Sequence, residues 1–131
     1  MKVQNESISR GIIRSSNEIF MNTEQYIGQR LVVTIDRPLG SLHPKWNFEY
    51  LVNYGYISGI ISGDGEELDA YVLGVSEPVE SFEGVCIAVI RRAEEDDDKL
   101  IVVPEGIEFS DEQIRQQTAF QEKDFTIAIL K

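Results

Sequence analysis

Apolar residues fall in short runs along this chain, and most of the runs have the length and composition of strands. Leu31-Val32-Val33-Thr34-Ile35 is β-branched and predicts a buried strand. Asp36-Arg37-Pro38-Leu39-Gly40-Ser41 ends it, because Pro and Gly together enforce a turn. The stretch Phe48 to Ile61 contains Asn53-Tyr54-Gly55-Tyr56-Ile57, aromatic and strand-like, and Ser62-Gly63-Asp64-Gly65 is a turn. Leu68 to Val75 alternates, with Asp69, Tyr71 and Leu73 on one face and Leu68, Ala70 and Val72 on the other. Gly84 to Ile90 and Leu100 to Val103 are further apolar strands, the second closed by Pro104. Helical signals are fewer. Ser110-Asp111-Glu112-Gln113 is a capping box that predicts a helix to about Lys123, with sparse apolar positions at Ile114, Ala119 and Phe120. A short helix is also expected within Asn17 to Gly28, and Phe125 to Leu130 is either a strand or a docked tail.

Several short strands followed by one helix predict a mainly β, α+β domain: a small barrel with helical decoration. The length of 131 residues suits one domain. Residues 1–30 are expected to be an N-terminal extension and residues 31–131 the barrel. So small a domain leaves much of its surface uncovered, which favours a homo-oligomer.

Charge narrows the partners. A formal net charge of -11 argues against a nucleic-acid binder and against an anionic membrane surface, since both need basic side chains. It suits a protein that gathers carboxylates around cations, although a solubilising surface produces the same total. No apolar stretch is long enough to span a bilayer and the N-terminus lacks a secretory core, so cytoplasm is the expectation. The single cysteine, Cys86, sits in an apolar run and reads as a small core residue.

Candidate chemistry lies in three places. Asp64 and Glu66 flank a glycine in a tight turn, and Asp69 opens the next strand, a spacing that lets three carboxylates converge on a hard cation such as Mg²⁺. A solvated acidic turn is the plainer reading of that segment alone. Glu94-Glu95-Asp96-Asp97-Asp98-Lys99 would ordinarily be a solvated hairpin tip, but Asp97 and Lys99 are two apart at a strand entrance and share a face. A carboxylate beside a lysine can hold metal and phosphate together, which implies two-metal phosphoryl transfer to water. Tyr54 can place a hydroxyl on a phosphate; Tyr56 reads as a packed aromatic of the barrel.

Together these segments resemble the soluble family I inorganic pyrophosphatases. Tyr50-Leu51-Val52-Asn53-Tyr54-Gly55-Tyr56-Ile57 is similar to that family's Y-P-x-N-Y-G-Y-I. Asp64-Gly65-Glu66-Glu67-Leu68-Asp69-Ala70-Tyr71-Val72-Leu73 is similar to D-G-D-P-x-D-x-x-V-L, and Asp97-Asp98-Lys99-Leu100 with Val102-Val103-Pro104 to its D-x-K strand and closing proline. The likeness spans about residues 31 to 104, with a weaker helical match to about 123. It implies an OB-like five-stranded barrel and Mg²⁺-dependent hydrolysis of pyrophosphate. By position it implies Asp64, Asp69 and Asp97 as metal ligands, Glu66 as metal ligand and proton acceptor for the attacking water, and Lys99 and Tyr54 as phosphate contacts. Asp36 matches an acidic position near the site.

The departures are specific. Glu66 replaces an aspartate, which moves the carboxylate out by about one methylene, and catalytic geometry tolerates little displacement. Glu67 and Leu51 replace prolines. The hairpin before the N-Y-G-Y segment is shortened, and its arginine has no clear counterpart; Arg37, His43 and Lys45 lie in that region as substitutes. Glu94 or Glu95 stands for the remaining metal ligand, and the family's tyrosine-lysine pair near the C-terminal helix gives way to Glu122-Lys123-Asp124. Two other readings stay open: a metal-dependent hydrolase of another small phosphate compound, and a non-catalytic barrel that binds metal or phosphate.

Overall fold

The structure is a computed structural model that describes residues 22–95 and 97–131. A 3-10 turn at Thr23–Tyr26 leads into β1 (Arg30–Arg37), β2 (Asn53–Ile61), β3 (Glu67–Val72), β4 (Ser81–Arg92) and β5 (Asp98–Val103). Helix α1 (Asp111–Glu122) and strand β6 (Ile127–Leu130) complete the chain.

Five strands close into a barrel in the order β1-β2-β3-β5-β4, with β4 pairing back onto β1 and β6 appended outside β4. All neighbours are antiparallel except β3 and β5, which run parallel with Asp69 opposite Lys99 and Ala70 opposite Leu100. Closure removes the free sheet edges that would otherwise invite aggregation. It is possible because β4 is 12 residues long: its first half pairs with β1 and its second half with β6. Gly55 is required at the β1–β2 contact, where a Cβ would overlap the carbonyl of Thr34.

The alternation read from the sequence sorts the two cores. Leu68, Ala70 and Val72 point into the barrel with Val33, Ile35, Ile57, Cys86, Val89, Leu100 and Val102. Tyr71 and Leu73 point outward and pack under the helix with Tyr50, Tyr54, Ile90, Ile101, Val103 and Ile114. Cys86 is fully buried, and burial pushes its thiol up to about 11. Iodoacetamide at pH 8 is therefore expected to leave Cys86 unlabelled in the native protein and to label it fully in urea, as read by mass spectrometry.

The helix starts where the capping box places it. The Ser110 hydroxyl accepts from the Gln113 N–H, and the Gln113 side chain accepts from the Ser110 N–H. Ser110→Ala is expected to cost about 1 kcal/mol, measured by urea denaturation. The buried stripe of the helix is Ile114, Thr118 and Glu122, spaced by one turn each and mostly polar. That explains why its apolar positions look sparse. Thr118 returns its hydroxyl to the Ile114 carbonyl at 2.8 Å.

Two expectations change. Of the helix expected within 17–28, residues 17–21 lie outside the described residues, and the rest forms only the 3-10 turn. The chain after Ile27 is captured by the sheet: Gly28, at φ 92°, donates to the Cys86 carbonyl and Gln29 accepts from the Cys86 N–H. Tyr56 is half-exposed and belongs to neither core, standing on β2 between Thr34 and Asp69. The segment after the helix is a strand, β6, antiparallel to β4.

Candidate active site

The outward face of the parallel β3–β5 pair carries the site. Lys99 lies opposite Asp69 in the ladder, so strand alternation turns both side chains to the face that holds Tyr71 and Ile101. The Lys99 ammonium is buried and donates to Asp69 at 2.9 Å and to Asp97 at 3.2 Å. Its charge also lies 5.5 Å from the centre of the Tyr54 ring. Asp97 and Lys99 do share a face. Asp97 Oδ1 is buried with no hydrogen-bond partner among the described residues. Burial raises the Asp97 carboxyl, Lys99 pulls it back, and the Asp69 charge adds to the rise. Burial likewise drives the Tyr54 hydroxyl well above its usual range, reinforced by Asp69.

Behind this trio lies a side chain that sequence reading passed over. Arg92, at the end of β4, is buried and grips Glu122 of the helix with two parallel bonds, 2.8 Å from Nε and 2.9 Å from Nη2. Its Nη1 reaches Glu95 at 3.1 Å and Asp97 at 3.3 Å, and the Phe125 ring lies 3.8 Å from the guanidinium carbon. Burial works against the Arg92 charge, and the Glu122 bonds more than offset it. Glu122 in turn accepts from the Tyr71 hydroxyl at 2.6 Å, Gln121 donates to that hydroxyl at 2.7 Å, and Tyr50 donates to Gln121 at 2.7 Å. A continuous polar network therefore ties the helix to the floor of the site. The available signal was the arginine pair Arg91-Arg92 ending an apolar strand. Alternation puts Arg92 on the face of Ala88 and Ile90, under the helix. Arg91 takes the other face and bonds Asp98, Thr23 and Glu24, anchoring the 3-10 turn.

The other expected residues are more scattered. Asp64 is exposed, and its Oδ1 closes the turn by accepting from the Ser62 hydroxyl and from the Glu66 N–H at 2.9 Å. Partial burial would raise the Asp64 carboxyl, but those bonds and the nearby Lys99 charge lower it. Glu66 is exposed on the same turn. Asp36 is exposed at the end of β1; desolvation raises its carboxyl, Arg37 opposes, and Asp69 adds to the rise. Arg37 donates to the Asp36 carbonyl at 3.1 Å. Lys45 is exposed, its ammonium 4.8 Å from the centre of the Trp46 ring. Glu94 accepts the Thr126 N–H at 3.1 and 3.2 Å and so fastens the segment after the helix. Among the described residues no three His, Cys, Asp or Glu side chains form a ready-made metal cluster.

A cavity of about 220 Å³ opens over this floor, lined by His43, Trp46, Phe48, Tyr54, Arg92, Lys99, Gln121 and Phe125. The donor set fits a divalent cation in a limited way. Mg²⁺ commonly takes one or two carboxylates and fills its remaining positions with water and substrate phosphate. Asp69 and the unpartnered oxygen of Asp97 supply hard donors of that kind.

An OB-type barrel with a buried lysine, a buried arginine and several carboxylates on its outer face has the groups that bind phosphate together with a cation. The sequence profile described as inorganic pyrophosphatase matches residues 23–126, and the chain belongs to that family. Solved structures agree on the fold. An inorganic pyrophosphatase from Neisseria gonorrhoeae is 24% identical with a TM-score of 0.57, over 74% of this chain and 75% of that one. One from Ehrlichia chaffeensis is 18% identical with a TM-score of 0.61, over 80% and 86%. One from Coxiella burnetii is 18% identical with a TM-score of 0.56, over 79% and 84%. No curated protein sequence matches the chain significantly.

Proposed function

We propose that this protein hydrolyses inorganic pyrophosphate to two phosphates with the help of Mg²⁺, at the floor formed by Asp69, Asp97 and Lys99. Family membership supports the reaction class. The observation that carries the cation requirement is a charge imbalance. Asp69, Glu95, Asp97 and Glu122 outnumber Arg92 and Lys99 in one connected cluster, and one oxygen of Asp97 is left without a partner. A highly charged phosphate entering there meets net negative charge unless a divalent cation comes with it.

In this reading Asp69 and Asp97 hold the cation, with Asp64 contributing from the neighbouring turn. When bound, Mg²⁺ neutralises substrate charge and lowers the pKa of an attacking water. The chain's own groups do the rest. Lys99 is buried and held between two carboxylates, so its ammonium is fixed in place before a phosphate oxygen arrives. The Tyr54 hydroxyl stays protonated and donates. Glu66, exposed on the turn beside Asp64, accepts the proton of the attacking water. Arg37, at the end of β1, and Lys45, on the segment before β2, add positive charge at the approach.

Phosphate release from pyrophosphate, assayed with Mg²⁺ and again with excess chelator, tests the proposal. Release that depends on Mg²⁺ is expected. Absence of release with every divalent cation tried would leave a non-catalytic barrel instead.

A further inference from the structure

The cavity lining has two unlike parts, one polar and one aromatic. Its floor is polar: the Lys99 ammonium, the Arg92 guanidinium and the Gln121 amide. Its walls include the rings of His43, Trp46, Phe48, Tyr54 and Phe125. Pyrophosphate has no apolar surface for such a wall to cover.

The aromatic wall is built rather than incidental. Leu42 and Glu49 form a bridge, His43 donates to the Phe48 carbonyl at 2.8 Å, and Asn47 adopts φ 63° to close the loop between them. His43 Nδ1 accepts the N–H groups of both Lys45 and Trp46 at 3.0 Å. That fixes the ring and leaves Nε2 as its donor in the neutral form. The His43 ring lies 5.0 Å from Phe48 and 6.5 Å from Trp46. Trp46 thus sits on a pinned loop and is still 66% exposed, more than the other exposed large apolar side chains Val32, Leu42, Leu51, Ile61 and Ile107. A large aromatic held by a rigid loop at the mouth of a phosphate-binding floor is arranged to stack on something flat.

Resting on the phosphate-site reading above, we propose that this site takes phosphate compounds bearing a planar aromatic group, with the phosphate over Lys99 and the ring against Trp46. Nucleoside and aryl phosphates share that chemistry. The preference for the ring resides in Trp46, on the loop that stands where the family's longer hairpin would be.

The test compares phenyl phosphate with methyl phosphate, both with Mg²⁺, by calorimetry and by the emission of Trp46, the chain's one tryptophan. Stacking of a base on an aromatic side chain predicts about tenfold tighter binding of phenyl phosphate, with a change in emission. Trp46→Ala is expected to bring the two affinities together, and Trp46→Phe to keep most of the difference. Equal affinities in the wild type, binding of neither compound, or a preference that survives Trp46→Ala would overturn the proposal. The pyrophosphate assay is read separately, so a wild-type protein that hydrolyses pyrophosphate with Mg²⁺ but binds the two phosphate esters equally rejects this inference and leaves the first standing.

Discussion

Replacing Glu122 by alanine is expected to destabilise the protein by about 3–5 kcal/mol, because it leaves the buried Arg92 charge without its two-bond partner. The effect is large for three reasons. Arg92 and Glu122 are both almost fully buried, so water cannot replace the lost carboxylate. The Tyr71 hydroxyl loses its acceptor in the same step. The helix loses its main polar tie to β4. A domain of this size should then melt roughly 10–25 °C lower. Glu122→Leu combined with Arg92→Met should recover much of that loss, since a buried ion pair gains little over an apolar pair of similar volume. Thermal denaturation of the single and double variants checks both statements. A fall of under about 1 kcal/mol for Glu122→Ala would mean that water reaches the pair.

The second large effect concerns chemistry. Asp69→Asn is expected to lower turnover of pyrophosphate by about 10³-fold or more, because an amide cannot supply the charge that holds a divalent cation over Lys99. The fold should survive. The substituted side chain keeps its shape, and Lys99 keeps its bond to Asp97. Circular dichroism and the melting temperature should therefore move little while phosphate release collapses. Near-normal turnover with unchanged Mg²⁺ dependence would remove Asp69 from the site.

Much of this architecture was legible because a strand's alternation is a direct record of its two faces. The sequence separates Leu68, Ala70 and Val72 from Asp69, Tyr71 and Leu73, and the structure turns the first set into the barrel and Tyr71 and Leu73 of the second under the helix. The spacing of Asp97 and Lys99 predicted their shared face in the same way. The capping box at Ser110 set the start of the helix, because it satisfies local donors without help from the rest of the chain.

What escaped reading depends on distant partners. Glu122 and Thr118 look like solvent-facing helix residues until Arg92 and the Ile114 carbonyl are brought to them. Arg92 lies just past the apolar run that ends at Ile90, and nothing beside it in the sequence names Glu122 as its partner. Polar groups become core residues only when each finds its complement, and no local pattern announces that pairing. Asp64 and Glu66 illustrate the converse. Their spacing suggested convergence with Asp69, yet one oxygen of Asp64 is used to close its own turn. The Asn17–Gly28 helical signal yielded to Gly28 and Gln29, whose bonds to Cys86 draw the chain into the sheet.

Cleavage of pyrophosphate on this floor, as proposed, needs a divalent cation and a water molecule. Phosphorus NMR of the wild-type protein with pyrophosphate and Mg²⁺ in ¹⁸O-labelled water tests it most directly. Conversion of pyrophosphate to phosphate is expected, with solvent oxygen incorporated into the product, and no conversion once Mg²⁺ is chelated. Unchanged pyrophosphate in the presence of Mg²⁺, or cleavage that proceeds equally under chelation, would contradict it.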